Sequence, residues 1–233
     1  YWTNDYLGIR YANTVITRID DATYESESER NNILGMALWH RAFRYYRLCM
    51  LFNDIPAVFT EVETPVTNLC SVERDGILKK IKSDMEFAVQ WVAEDNSRGR
   101  ISKGACYHLL AKICLTLGDF DEAIKATNAV IDGGRYSLMT NRFGVDVTDN
   151  TKNVLWDLHR PLNKNSTENK EVLLATLDRY EYQTAKSPQK TLAMRNFLPF
   201  WANTTNRIQT PDGKPGMSDK RLKEPELDYN VIY

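Results

Sequence analysis

The sequence lacks the marks of several large classes of protein. Its 233 residues carry 30 Lys and Arg against 31 Asp and Glu, so the formal net charge is −1. A chain this balanced has no general field to attract nucleic acid or an anionic membrane. No apolar run approaches the roughly 18 residues of a membrane-spanning helix, and no stretch resembles a signal peptide. With 42% hydrophobic residues, we expect a folded core and no binding of nucleic acid.

Cysteine is scarce, with four residues in the chain. Cys49, Cys106 and Cys114 fall on apolar faces of predicted helices, and Cys70 falls in a loop. No pair has the C-x2-C spacing of a zinc site or a redox motif. The pattern predicts buried free thiols that act as small hydrophobic residues, and it leaves the cellular compartment open.

Catalytic motifs are also missing. The three histidines stand far apart and outside any H-E-x-x-H spacing, and we interpret His40 and His108 as ordinary helix residues. The acidic cluster that begins at Asp119 has Ile124 where a calcium loop needs glycine. A second polar cluster indicates a solvated turn rather than a cation site: Asp146, Asp149, Asn150 and Asn153. We therefore predict no catalytic residues, no metal and no cofactor.

The clearest structural signal lies at residues 102–132, where two short helices are predicted with a hinge at Gly118 and Asp119. The spacing matches one tetratricopeptide repeat, although a plain amphipathic hairpin has the same periodicity. Ser102 should cap the first helix, and Asp119 with Glu122 should cap the second. The first helix presents Tyr107, Leu110, Ala111 and Cys114, and the facing stripe is predicted to be Phe120, Ala123, Ile124, Thr127 and Ile131.

Three helices are predicted before this repeat. The first covers residues 1–20, and the second runs from about Glu29 to Phe52 and stops at the 53–56 segment, NDIP. The third ends near Asn96. Its apolar positions are Ile77, Ile81, Met85, Ala88, Trp91 and Val92. The helical pattern then lapses from Tyr136 onward, where Asn, Thr, Asp and Pro predominate.

The fold class is therefore mostly α. We predict tetratricopeptide-like helical repeats over residues 1–138 and a long, loop-rich extension over residues 139–233 that packs on them. Aromatic residues argue that this extension is ordered. They are Trp156, Tyr180, Tyr182, Phe197, Phe200 and Trp201.

Residues 37–48 (ALWHRAFRYYRL) and 52–56 (FNDIP) resemble the signature of the SusD/RagB family of nutrient-binding outer-membrane lipoproteins. Further family-like motifs follow the same order along the chain: IRYANTVI at 9–16, GRISKGA at 99–105, GDFDEAI at 118–124, YSL at 136–138 and NKE at 169–171. Asn53 replaces the usual glycine, a mild change because Asn also tolerates a left-handed C-cap.

The resemblance implies a protein without catalytic activity at the outer surface of a bacterial outer membrane, held there by a lipid anchor. Such a protein would capture an oligosaccharide and pass it to a TonB-dependent, SusC-like transporter, with its helical repeats against the transporter. The resemblance also implies that this chain is a fragment of a longer protein. Tyr1 already lies in a predicted helix.

Sugar binding requires flat aromatic faces beside amide and charged groups. Two such groups are predicted to contact ligand: Trp2 with Asn4 and Asp5, and Phe200 with Trp201, Asn203 and Arg207. We assign Trp39, Trp91 and Trp156 to packing. Two alternatives remain open. One is a tetratricopeptide scaffold that binds a peptide, and the other is an α-helical carbohydrate-active enzyme, which needs two carboxylates roughly 5 to 10 Å apart.

Overall fold

Helices that follow one another along the chain pack side by side. The computed structural model describes residues 1–64, 66–94, 99–175 and Asp212. Apart from Asp212, these residues belong to one compact unit, Tyr1–Thr176. The helices are α1 (Trp2–Thr17), α2 (Glu27–Phe52), α3 (Arg74–Trp91), α4 (Lys103–Leu117), α5 (Phe120–Ile131) and α6 (Val154–His159). Short 3-10 turns cover Ile19–Asp21 and Gly144–Asp146, and β1 (Ile55–Pro56) pairs antiparallel with β2 (Ser71–Val72).

The core lies between α1, α2, α3 and α4, with α5 against α4. Most of its fully buried large residues come from α2, α3 and α4, and they follow the helical spacing of the sequence. They are Tyr45, Leu48, Ile77, Leu78, Ile81, Met85 and Ile113. The predicted mostly α fold is confirmed. Cys49, Cys106 and Cys114 are also buried, as predicted.

Local signals set the helix ends. The Ser102 Oγ accepts a hydrogen bond from the Ala105 backbone N–H at 3.3 Å, so the predicted cap is confirmed. Asn53 ends α2 with a φ of +64°, and Gly118 ends α4 with a φ of +79°. The predicted cap at Asp119 is wrong, because its side chain makes no capping hydrogen bond. Its carboxylate instead accepts a hydrogen bond from Lys82 Nζ on α3 at 2.5 Å.

The face that α5 buries differs from the prediction. Ala123 and Ala126 are each 3% exposed, whereas Phe120, Ile124 and Ile131 are 63%, 57% and 62% exposed. The burial of Ala123 agrees with the predicted repeat, but the larger apolar residues do not face α4. Small side chains let two helices approach closely, so α5 docks through its alanines and turns its larger residues outward.

A buried guanidinium joins the first three helices. Arg41 on α2 donates to the Asp84 Oδ2 on α3 at 2.7 Å and 3.1 Å, and to the Asn13 Oδ1 on α1 at 3.1 Å. It also donates to the Phe59 carbonyl at 2.8 Å. Because both charged side chains are only 3% exposed, this network replaces water with protein partners. Lys80 Nζ contacts the other Asp84 oxygen.

Residues 139–170 fold around a second arginine. The Arg142 guanidinium donates to both carboxylate oxygens of Asp157. It also donates to three main-chain carbonyls, those of Asp146, Asp149 and Lys152. Asp146 and Asp149 belong to the polar cluster that was predicted to form a solvated turn. Their main-chain carbonyls accept hydrogen bonds from the Arg142 guanidinium. Hydrogen bonding to Arg142, the largest cause, holds the pKa of Asp157 below its ordinary value.

Residues 134–175 are tied to the start of α4. Tyr136 Oη donates to the Ser102 Oγ at 3.2 Å, and Ser102 donates to the Leu173 carbonyl at 3.0 Å. The Ser137 N–H donates to the Lys170 carbonyl at 3.1 Å. The predicted division at residue 138 into a scaffold and a ligand-bearing extension stays a prediction.

Candidate functional site

Exposed aromatic rings meet where α1 begins and α2 ends. The Trp2 ring lies 5.0 Å from the Phe52 ring at an interplanar angle of 86°, and 4.9 Å from the Tyr6 ring at 52°. Tyr1, Trp2 and Phe52 are 72%, 42% and 46% exposed, and we call these three residues the aromatic surface. Edge-to-face contacts of this kind hold the rings in place while leaving ring faces open to solvent.

A cation borders the aromatic surface. The Arg47 guanidinium lies 5.3 Å from the centroid of the Tyr1 ring and 5.6 Å from that of Phe43. Its Nη1 lies 3.3 Å from the Asp5 Oδ1, and the Arg47 side chain is 35% exposed. Asp5 itself is buried, at 4% exposure. The carboxylate therefore fixes Arg47 from below, and the guanidinium is the group that reaches solvent.

The inner ring beneath Trp2 belongs to Tyr6. Its hydroxyl donates to the Pro56 carbonyl at 2.6 Å, which ties α1 to β1. Burial, the largest cause, raises the pKa of Tyr6 well above its ordinary value, so the phenol remains a neutral donor. The Trp2 ring therefore packs against a Tyr6 ring that a hydrogen bond holds in place.

The structure describes only one of the two predicted groups of binding residues. Trp2 and Asn4 are exposed at the start of α1, while Asp5 faces inward. Phe200, Trp201, Asn203 and Arg207 lie outside the described residues. The assignment of these side chains to ligand contacts stays a prediction.

Sequence reasoning missed the partners of Trp2. Phe52 was predicted as the end of the second helix, and it is 46% exposed in the last turn of α2. Tyr1 and Arg47 were not singled out. A signal was available: when consecutive helices pack side by side, the start of one can meet the end of the next, which brings Trp2 to Phe52.

The surface can bind a ligand by stacking and by hydrogen bonding. Aromatic faces suit the apolar sides of sugar rings, and the Arg47 guanidinium suits hydroxyl groups. Within the described residues, no group of three or more His, Cys, Asp or Glu side chains is placed to hold a metal ion. In the same part of the chain, no helix has the length and apolar character needed to cross a bilayer.

Comparisons with known proteins agree with the motifs of the sequence. Residues 1–115 match the SusD-like family model described as "Starch-binding associating with outer membrane". SusD-like protein P2 of Formosa agariphila is 29% identical over 135 residues, which are 57% of this chain and 26% of that protein.

Solved structures show the same fold. A SusD-like protein from Bacteroides fragilis matches with a TM-score of 0.65 at 20% identity, over 81% of this chain and 34% of that one. A laminarin-binding SusD-like protein matches with a TM-score of 0.55 at 25% identity, over 60% of this chain and 32% of that one. The matched region therefore spans about a quarter to a third of these proteins. Family motifs in their expected order, the family match over residues 1–115 and the shared fold together support a SusD/RagB family protein.

Proposed function

We propose that the protein containing this chain binds an oligosaccharide at the bacterial cell surface without cleaving it. The observation that supports this proposal is the aromatic surface, where exposed rings lie beside the ion-paired Arg47. Burial of apolar ring surface against a sugar supplies affinity, and the guanidinium supplies orientation. One SusD-like protein of the same fold binds laminarin, which makes a neutral glucan a suitable first probe.

The proposal extends to the partner and the location. A lipid anchor would hold the full-length protein at the outer membrane, where it would pass the oligosaccharide to a SusC-like, TonB-dependent transporter. This part is supported by the description of the matching family, whose members associate with the outer membrane. Co-purification of the tagged full-length protein with such a transporter from membranes tests it, and a full-length protein recovered alone would contradict it.

Calorimetry with a panel of neutral oligosaccharides, including laminarin fragments, tests the binding site. We expect Trp2→Ala to weaken binding by roughly 5- to 150-fold, since truncating an aromatic anchor costs about 1 to 3 kcal/mol. Tyr11→Ala is the matched control, because Tyr11 is an aromatic residue of the same helix, 61% exposed and outside the aromatic surface. Equal affinity of the Trp2 variant and the parent would remove the aromatic surface from the site.

Product analysis tests the absence of catalysis. The oligosaccharides should be recovered at their original length after long incubation with the protein. New reducing ends that scale with protein concentration, and that a mock preparation does not produce, would overturn the non-enzymatic proposal. If no glycan binds, the alternative of a tetratricopeptide scaffold that binds a peptide is favoured.

A further inference from the structure

A cavity lies between the start of α4 and the 165–175 segment, and it shares no residue with the aromatic surface. Its volume is about 270 Å³. We call it the motif cleft, and the residues that matter here are Arg100, Ser102, Tyr136, Asn165, Thr167 and Lys170. The volume is close to the lower end of ligand pockets, about 300 Å³, so it suits one sugar unit rather than a chain.

The walls of the motif cleft are held by hydrogen bonds. Ser102 accepts from Tyr136 and donates to the Leu173 carbonyl. The buried Asn169 amide donates to the Asn163 carbonyl at 3.3 Å. Three segments that are distant in the sequence, those around residues 100, 136 and 169, are thereby fixed around one cavity. A preorganised cavity loses little conformational entropy when it binds a ligand.

The lining of the cleft is positively charged. Arg100, Arg135 and Lys170 contribute to it, and none of the described lining residues is acidic. The Arg135 guanidinium lies 5.9 Å from the Tyr136 ring centroid. In the described part of the chain, no hydrogen bond or ion pair engages the side chains of Arg100, Asn165, Thr167 or Lys170. A chain with a net charge of −1 thus gathers cations and neutral donors at one cavity.

We infer that the motif cleft binds an anionic oxygen group, a carboxylate or a sulfate ester, on a sugar unit of the ligand. Arginine and lysine form short, charge-assisted hydrogen bonds with such groups, and the hydroxyl and amide donors beside them complete the anion's partners. That the anionic group is attached to a sugar rests on the proposed function. The preference for an anionic group rests on the motif cleft alone. The motif cleft and the aromatic surface share no residue, so the two can be tested independently.

Calorimetry with two pairs of probes tests the inference on the 233-residue protein. One pair is tetragalacturonate and its methyl ester, and the other is sulfated neocarratetraose and its desulfated form. Each pair changes the charge and keeps the sugar backbone. We expect the charged member of at least one pair to bind about tenfold tighter at low salt, and this preference should shrink as salt screens the charges. The pair that discriminates identifies the carboxylate or the sulfate as the recognised group.

Charge-removing variants locate the site. Arg100→Gln and Lys170→Gln should each weaken binding of the charged probe roughly fivefold, as expected for partly solvated ion pairs. Lys79→Gln, an exposed residue of α3 that does not line the cleft, makes the same charge change and should leave the affinity unchanged. Thr167→Val supplies an uncharged variant and should weaken the charged probe more than the neutral one.

The outcomes separate this inference from the proposed function. Equal binding within both probe pairs, or parent-like affinity of the Arg100 and Lys170 variants, overturns the cleft as an anion site. If inorganic sulfate competes at the same concentration as the sugar probe, the cleft binds the anion itself, and the inference that the anion is attached to a sugar is overturned. Loss of neutral-glycan binding in Trp2→Ala tests the aromatic surface independently, so either site can fail while the other stands.

Discussion

Replacing the buried Arg41 by Met should destabilise the scaffold far more than removing an exposed guanidinium. Arg41→Met removes the four hydrogen bonds that join α2 to α1, α3 and the Phe59 carbonyl. It leaves the Asp84 carboxylate, 3% exposed, with Lys80 as its cation. It also leaves the Asn13 side-chain oxygen without that donor.

The magnitude follows from the burial of both partners. Breaking a buried ion pair by removing one member costs about 3 to 5 kcal/mol, because the remaining buried charge loses its partner. Here Asp84 keeps Lys80, whose side chain is 46% exposed. For a chain of this length, each kcal/mol lowers the midpoint of thermal unfolding by about 2 to 4 °C. Arg41→Met should therefore lower the midpoint by about 6 to 20 °C.

Urea unfolding followed by far-UV circular dichroism measures the free energy of unfolding. Arg30→Met is the matched control, because its partner Asp20 has a side chain that is 76% exposed, and it should cost about 1 kcal/mol or less. Asp84→Leu completes a double-mutant cycle, in which Arg41→Met with Asp84→Leu should cost less than the sum of the single changes. Additive costs, or an Arg41 variant as stable as the Arg30 variant, would refute this reasoning.

Other parts of the structure make further predictions. Ala123→Leu should cost about 1 to 3 kcal/mol by overpacking the α4–α5 contact, and an unchanged melting midpoint would mean that the site can accommodate a larger residue. Trp39→Ala should cost about 3 to 5 kcal/mol, because the indole is 7% exposed and its N–H donates to the Ala105 carbonyl at 3.1 Å; urea titration measures this loss. Cys70 alone should react with Ellman's reagent at pH 8 in the native protein, and all four thiols should react in urea; a second fast native thiol would contradict the burial. Burial raises the pKa of Cys106 to about 12 from an ordinary 9.0, so its contribution to stability is present below about pH 9 and should fall as the pH rises toward 12, which urea midpoints across that range will show.

Much of the scaffold was predictable because its signals are local. Ser102 caps the start of α4, and Asn53 and Gly118 have the positive φ values at which α2 and α4 end. The 3.6-residue periodicity of apolar side chains placed the first four helices in the correct order. Asp119 shows the limit of such reasoning. Its position before α5 is that of an N-cap residue, but its carboxylate accepts a hydrogen bond from Lys82 of α3 instead.

By itself, the sequence determined the helical class, the helix ends at Asn53, Ser102 and Gly118, and the family resemblance, because capping, periodicity and motif order are properties of neighbouring residues. Only the tertiary structure decided which face of each helix is buried against its neighbours. It turned Ile124 outward, placed Phe52 beside Trp2 and directed Asp5 inward toward Arg47. It also brought Tyr136 to Ser102 and so formed the motif cleft. These outcomes depend on which distant segments pack together, and the spacing of residues along one helix carries no information about its neighbours.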